Sequence, residues 1–206
     1  MLHDISVVVR VGTPEWPGDA PFECGWTTRI AEGSSVNLSH VGGSPHVGTH
    51  ADAPLHVHDG WPASDSLPLE AFLGDALVID VSEAPAGPLA IGVDDARLAG
   101  VERLLLRTGR CIADGRFPPD WPVLDSRSAA RLTENGLRLF GVDAPSVDAR
   151  HSTKLEVHHA LFGGGAYVLE NLDLRGVPAG RYELIALPQR LAGLDAAPVR
   201  AVLRSR

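Results

Sequence analysis

Cysteine is scarce: the 206 residues contain only Cys24 and Cys111. Two thiols are too few for a Cys-rich zinc site, so any metal must be held by imidazole and carboxylate. The pair reads as two free, buried thiols in a reducing cytosol rather than as a disulfide. Positive charge is also thin. The net charge is -8, and arginine supplies nearly all of the basic groups. No basic stripe is present, which removes the electrostatic footprint of a nucleic-acid-binding protein. Long apolar runs are missing as well, since none approaches the ~18 residues of a membrane span. The N-terminus Met1-Leu2-His3-Asp4-Ile5 lacks a basic stretch followed by an apolar one, so no secretory leader is expected. These absences predict a cytoplasmic protein with no nucleic-acid and no membrane partner. No Gly-x-Ser-x-Gly elbow occurs and neither cysteine carries a mark of activation, which argues against a Ser or Cys nucleophile.

What is present suits one globular domain over residues 1–206. Hydrophobic residues make up 44% and charged residues 21%, enough for a single core. Short β-branched stretches predict strands at Ile5–Arg10, Ala76–Val81, Val101–Arg107, Leu137–Val142, Ala166–Glu170, Tyr182–Leu187 and Pro198–Leu203. Two of them, Asp75–Val81 and Val101–Leu106, are almost continuously apolar, as in strands covered on both faces. A short helix is expected over Val93–Ala99. A second runs from Ser126 to Asn135, capped by Asp125 or Ser126 and stopped at Asn135-Gly136. A third starts at Ser152 or Thr153, where Thr153 and Glu156 fit a capping box, and ends at Gly163-Gly164-Gly165. Residues 13–74 and 110–125 are long irregular stretches. Their aromatics argue for function rather than disorder.

Histidine is abundant and uneven. Of nine, five lie at His40, His46, His50, His56 and His58, and three more at His151, His158 and His159. The tightest group is His46-x-x-x-His50-x-Asp52-x-x-x-His56. On an extended segment His50 and Asp52 project to one side. Gly48 permits a bend that lets His46 converge on them. Imidazole nitrogen and carboxylate oxygen suit Zn²⁺, Mn²⁺ or Fe²⁺. A lone loop histidine is more often a surface residue, and His40 and His58 are left as surface residues or outer supports. Further ligands have to come from elsewhere: His158 or His159 on the third helix, and Glu170 at a strand end. From spacing alone, Glu170 reads as an exposed strand-end carboxylate, and His158 reads equally well as a buried helix-face residue.

These residues carry a resemblance. Ser44-Pro45-His46-Val47-Gly48-Thr49-His50-Ala51-Asp52-Ala53-Pro54-Leu55-His56 resembles the signature of the bacterial kynurenine formamidases (arylformamidases), members of a metal-dependent cyclase family. Trp16-Pro17-Gly18-Asp19 is similar to its N-terminal motif, and Gly141–Asp148 to its middle motif. Tyr182–Pro188 and Pro198–Arg204 are similar to its C-terminal stretch. One departure stands at Asn171, where the family usually has Gly; Asn tolerates unusual dihedrals better than most residues.

The resemblance implies an α/β fold, the family's single-domain swivelling β/β/α architecture, in a homodimer. It implies two Zn²⁺ per subunit. One would be held by His46, His50 and Asp52 and the other by His158, with Asp52 and Glu170 bridging. His56 would be the general acid/base and Trp16 would contact an aromatic substrate. The implied reaction is hydrolysis of N-formyl-L-kynurenine, an aryl formamide, in tryptophan degradation. Rival readings are a hydrolase of cyclic or other aryl amides, such as isatin, and a non-catalytic metal-binding protein.

Overall fold

The computed structural model describes residues 1–92 and 95–205. Among the described residues the dominant element is a nine-stranded sheet. Its centre is a parallel set: β5 (Leu73–Asp80), β7 (Arg103–Arg107), β9 (Leu139–Val142) and β10 (Tyr167–Glu170). β11 (Gly180–Ile185), β13 (Val202–Arg204) and β1 (Leu2–Asp4) extend it antiparallel beyond β5. β4 (His50–Asp52) and β12 (Ala196–Pro198) extend it antiparallel beyond β10. Two small sheets stand apart. One pairs β2 (Glu23–Thr28) with β3 (Leu38–Gly42), and the other pairs β6 (Gly87–Leu89) with β8 (Pro122–Leu124).

The apolar runs of the central strands are explained by two cores, one on each face of the sheet. Leu77, Ile79, Leu104, Leu106, Phe140 and Val168 point to one side. There they meet Ala129 and Leu132 of helix α1 (Ser126–Glu134) and Val157 and Leu161 of helix α2 (Glu156–Gly163). Ala76, Val78, Leu105, Leu139 and Leu169 alternate to the other side and pack with Ile5, Phe72, Leu184 and Leu203. A period of two with both faces apolar is the pattern of a sheet covered on both sides.

Several expectations need correction. Ile5–Arg10 is not a strand. β1 precedes it, and Ile5 and Ser6 are tied to Ala201 and Leu172 before the chain turns at Arg10–Thr13. Within Val93–Ala99, residues 93 and 94 lie outside the described residues, and the remainder forms one 3-10 turn at Ala96–Leu98. Cys24 is exposed on β2; only Cys111 is buried. Helix α1 starts as expected, with the Asp125 carboxylate accepting from the Ser128 N–H at 2.9 Å. Helix α2 does not. It begins at Glu156, after Leu155 in the left-handed region (φ 47°), and Thr153 makes no capping box. Its free N–H groups at Val157 and His158 donate instead to the Asp148 carboxylate, each at 3.0 Å. A carboxylate at a helix start also complements the helix dipole. No described helix is long and apolar enough to cross a membrane.

Candidate metal centre and pocket

The segment His46–Asp52 is shaped by a bend followed by a strand. Gly48 adopts φ 76°, and a Cβ there would sit 2.4 Å from Val9 Cγ2, so only glycine fits. The bend turns His46 back toward the start of β4. Within β4, His50 and Asp52 share one face and Ala51 enters the opposite core. β10 lies antiparallel beside it with Glu170 directly opposite His50, so the Glu170 side chain joins the same face. Glu170 is therefore 4% exposed, not a solvent-facing strand end. Helix α2 supplies His158, 1% exposed, whereas His159 is exposed and lies beside Trp61.

The donor atoms fall into two groups that share both carboxylates. His46 Nδ1 and His50 Nε2 are 3.1 and 3.2 Å from Asp52 Oδ1, and His50 Nε2 is 3.5 Å from Glu170 Oε2. On the other side, His158 Nε2 is 3.1 Å from Asp52 Oδ2 and 3.4 Å from Glu170 Oε1. Each carboxylate thus presents one oxygen to each group.

The outer nitrogen of every imidazole is committed elsewhere, and always to a group that can only accept. His50 Nδ1 donates to the Gly48 carbonyl at 2.9 Å. His158 Nδ1 donates to Asp148 at 2.7 Å, and His46 Nε2 to Asp195 at 3.0 Å. The three inner nitrogens are thereby left to face the carboxylates. Outer hydrogen bonds of this kind are how metal-ligating histidines are oriented.

This donor set fits a divalent cation. Asp52 Oδ1 is buried and has no hydrogen bond although two imidazole nitrogens converge on it. An orphaned buried acceptor among lone-pair donors is what a cation would satisfy. The charges agree. Burial alone would discharge every group here. The Asp195 and Asp52 carboxylates beside it overcome it at His46 and lift its pKa to about 10. The Asp52 charge does the same for His50, lifting it to about 9. Burial opposes charge at His158 too, yet Asp148, Asp52 and Glu170 hold its pKa well above the usual imidazole range. Asp52, against its own burial, is held well below the carboxylate range by His50, His158 and His46. Without a cation the cluster is a set of imidazolium–carboxylate pairs, and proton and metal compete for the same lone pairs.

A cavity of about 370 Å³ opens over this cluster. Trp16, Phe117 and Leu155 supply apolar wall, and Ser146, Asn171 and Asp195 supply polar groups. Trp16 packs edge-on to Phe117 at 5.5 Å and to Trp121 at 6.1 Å. His56 ends the 3-10 turn Pro54–His56 and stands at the edge of the cluster, its ring 4.5 Å from that of His46 and 5.7 Å from that of His158. Its Nδ1 lies 3.2 Å from Asp195.

His40 and His58 stay outside, exposed on β3 and stacked on Trp61 respectively. Of the loop aromatics besides Trp16, Phe117 lines the cavity, whereas Phe22 and Trp61 do not. Asn171 has φ 54°, the left-handed conformation that Asn accepts more readily than most side chains. Two further residues at the site have no ligand spacing to mark them, although Asp148 closes the Gly141–Asp148 motif. Asp148 is placed by its contacts to α2. Asp195 is placed by β12, whose Ala196 pairs with Asp52.

A buried set of imidazoles and carboxylates poised for divalent cations, under an aromatic-walled cavity on a mixed sheet, defines a class of metal-dependent hydrolase sites. Residues 3–149 match the model of the Cyclase family, described as "Putative cyclase". The chain belongs to this family. It is 47% identical over 207 residues to the kynurenine formamidase of Salinibacter ruber, spanning 98% of this chain and 97% of that protein. It superposes with a TM-score of 0.82 and 27% identity on a "potential metal-dependent hydrolase with cyclase activity", covering 100% and 99% of the two chains. Isatin hydrolase A from Labrenzia aggregata, bound to benzyl benzoate, superposes with a TM-score of 0.77 and 26% identity, covering 98% of this chain and 93% of that one.

Proposed function

We propose that the protein is a metal-dependent arylformamidase that hydrolyses N-formyl-L-kynurenine to L-kynurenine and formate. The observation that carries this reading is the paired donor set, in which both Asp52 and Glu170 face two groups of imidazoles beneath an aromatic-walled cavity. Two Zn²⁺ per chain would be held here, one by His46, His50 and Asp52 and the other by His158, with Asp52 and Glu170 available to both. When bound, they supply a hydroxide-strength nucleophile at neutral pH and a Lewis acid for the carbonyl.

The chain's own residues do the rest. Trp16 stacks on the aryl ring at the cavity wall. A formyl group has hydrogen where a larger acyl group has a carbon chain, so it demands little room beside the cluster. His56 donates its Nδ1–H to Asp195, which leaves Nε2 facing the cavity; Nε2 takes the proton released by the attacking water and gives it to the aniline nitrogen as the C–N bond breaks. The cavity volume lies in the range that encloses one small aromatic ligand.

The whole chain acts as one domain. Its partner is a second copy, and the β2–β3 ribbon supports this. It exposes Trp26, Leu38 and Val41 at 51%, 52% and 70%, apolar surface of the kind that marks an interaction site, on a two-stranded ribbon that is marginal alone. The two unpaired thiols support a reducing, cytoplasmic location. The test is an assay of formate release from N-formylkynurenine against ring opening of isatin, with zinc-loaded protein. Preferential formate release is expected. Turnover of isatin alone would move the protein to the other branch of its family.

A further inference from the structure

Asp195 touches both machines of the site with one oxygen. Its Oδ2 accepts from His46 Nε2 at 3.0 Å and from His56 Nδ1 at 3.2 Å. The first ring is a proposed metal ligand, the second the proposed proton carrier. The carboxylate is not loosely placed. The Ala53 N–H donates to the Asp195 carbonyl at 2.8 Å, and the Ser64 N–H donates to the Leu194 carbonyl at 2.9 Å. The next residue, Ala196, pairs with Asp52 across β12 and β4. The backbone of Asp195 is thus bolted to the exit of β4, between the ligands on one side and His56 on the other. Its side chain is 42% exposed, so it carries no core packing that its loss would disturb.

Two consequences follow from the acceptor-only chemistry of a carboxylate. It requires hydrogen on His46 Nε2, which leaves Nδ1 for the cluster. It equally requires hydrogen on His56 Nδ1, which leaves Nε2 for the cavity. One oxygen therefore selects both tautomers and sets both ring planes, and the rings approach to 4.5 Å because they share it. We infer that Asp195 is a positioning residue that locks His46 and His56 together, so that the proton carrier is held in register with the metal group. This rests on the formamidase reading for His56, whereas the His46 arm stands on the metal centre alone.

The experiment uses the full-length, metal-loaded protein and the variants Asp195→Asn, His56→Ala and the double variant. The readouts are zinc affinity by competition with a chelator, and kcat and KM on N-formylkynurenine. Outer partners of ligating histidines are worth about 10–100-fold in affinity or activity. Asp195→Asn is expected to weaken zinc binding about 10-fold. At saturating zinc it is expected to lower kcat about 10–100-fold with KM changed less than about threefold. In the His56→Ala background the same substitution is expected to cost less than about threefold in kcat, because its effect passes through a ring already removed. Unchanged zinc affinity together with unchanged kcat would overturn the inference. So would an equal kcat loss with and without His56, which marks a general structural effect. Should the parent protein fail to turn over formylkynurenine, the functional reading falls, and the zinc competition still decides the His46 arm.

Discussion

Replacing Asp52 by alanine removes the one side chain whose two oxygens sit 3.1–3.2 Å from three different imidazoles. The effect can be sized from that geometry. The His46–His50 group retains two nitrogens and Glu170 Oε2; the His158 group retains one nitrogen and Glu170 Oε1. A zinc site with an apparent free energy on the order of 10–16 kcal/mol, spread over four donors at the first position and three at the second, loses roughly 3–4 kcal/mol with one of them. That is about two to three orders of magnitude in affinity at each position. Both positions should therefore empty together on gel filtration, read as zinc per chain by mass spectrometry. A second effect acts on the metal-free protein. His50 and His158, about 1% exposed, lose one of the carboxylates that compensate them. Breaking one side of a buried ionic network costs about 3–5 kcal/mol. For a domain of this size that is roughly 6–20 °C in Tm. Circular dichroism at low temperature checks that the variant is folded before zinc is counted. Full occupancy of two cations in folded Asp52→Ala protein would refute the bridging argument.

Other perturbations separate the remaining roles. His56→Ala should keep zinc content near that of the parent while kcat falls about 10²–10⁴-fold; parallel loss of zinc would make His56 a ligand. Trp16→Ala should raise KM about 2–10-fold with kcat nearly kept, the worth of one aromatic contact; an unchanged KM would remove Trp16 from the substrate wall. In chelator-treated protein the sign of the pH dependence follows from the raised pKa values of about 10 at His46 and about 9 at His50. A raised imidazole contributes stability that is complete below about pH 6.5 and lost as pH climbs through the folded value. Tm of the metal-free protein should fall between about pH 7 and pH 10. Over the same interval zinc should bind more tightly and release protons as it binds. A pH-independent zinc affinity would contradict competition between proton and cation.

How far the site is legible in the chain depends on how local its cause is. His50 and Asp52 are readable because two residues of one strand share a face, and His46 because Gly48 provides the bend. The apolar runs at β5 and β7 are readable for the same reason, since a sheet covered on both faces demands them. Glu170 is not readable from spacing. Its burial comes from the register that sets it opposite His50, more than a hundred residues away in sequence, and only the family likeness pointed to it. The choice between His158 and His159 depends on the rotation of α2. That rotation is fixed by Asp148 rather than by a local cap, which is also why a Thr153 capping box misplaced the helix start. Asp195 leaves no trace at all, since its neighbours are set by β12 pairing with β4. The β2–β3 ribbon was hidden in a Gly- and Pro-rich stretch, because its strands pair only with each other and carry no buried-face alternation.

The central claim is that two divalent cations share Asp52 and Glu170. Anomalous diffraction from zinc-loaded crystals, collected on both sides of the zinc absorption edge, tests it most directly. The account predicts two peaks per chain, one beside His46 and His50 and one beside His158, on opposite oxygens of Asp52. A single peak, or peaks remote from these side chains, would contradict it.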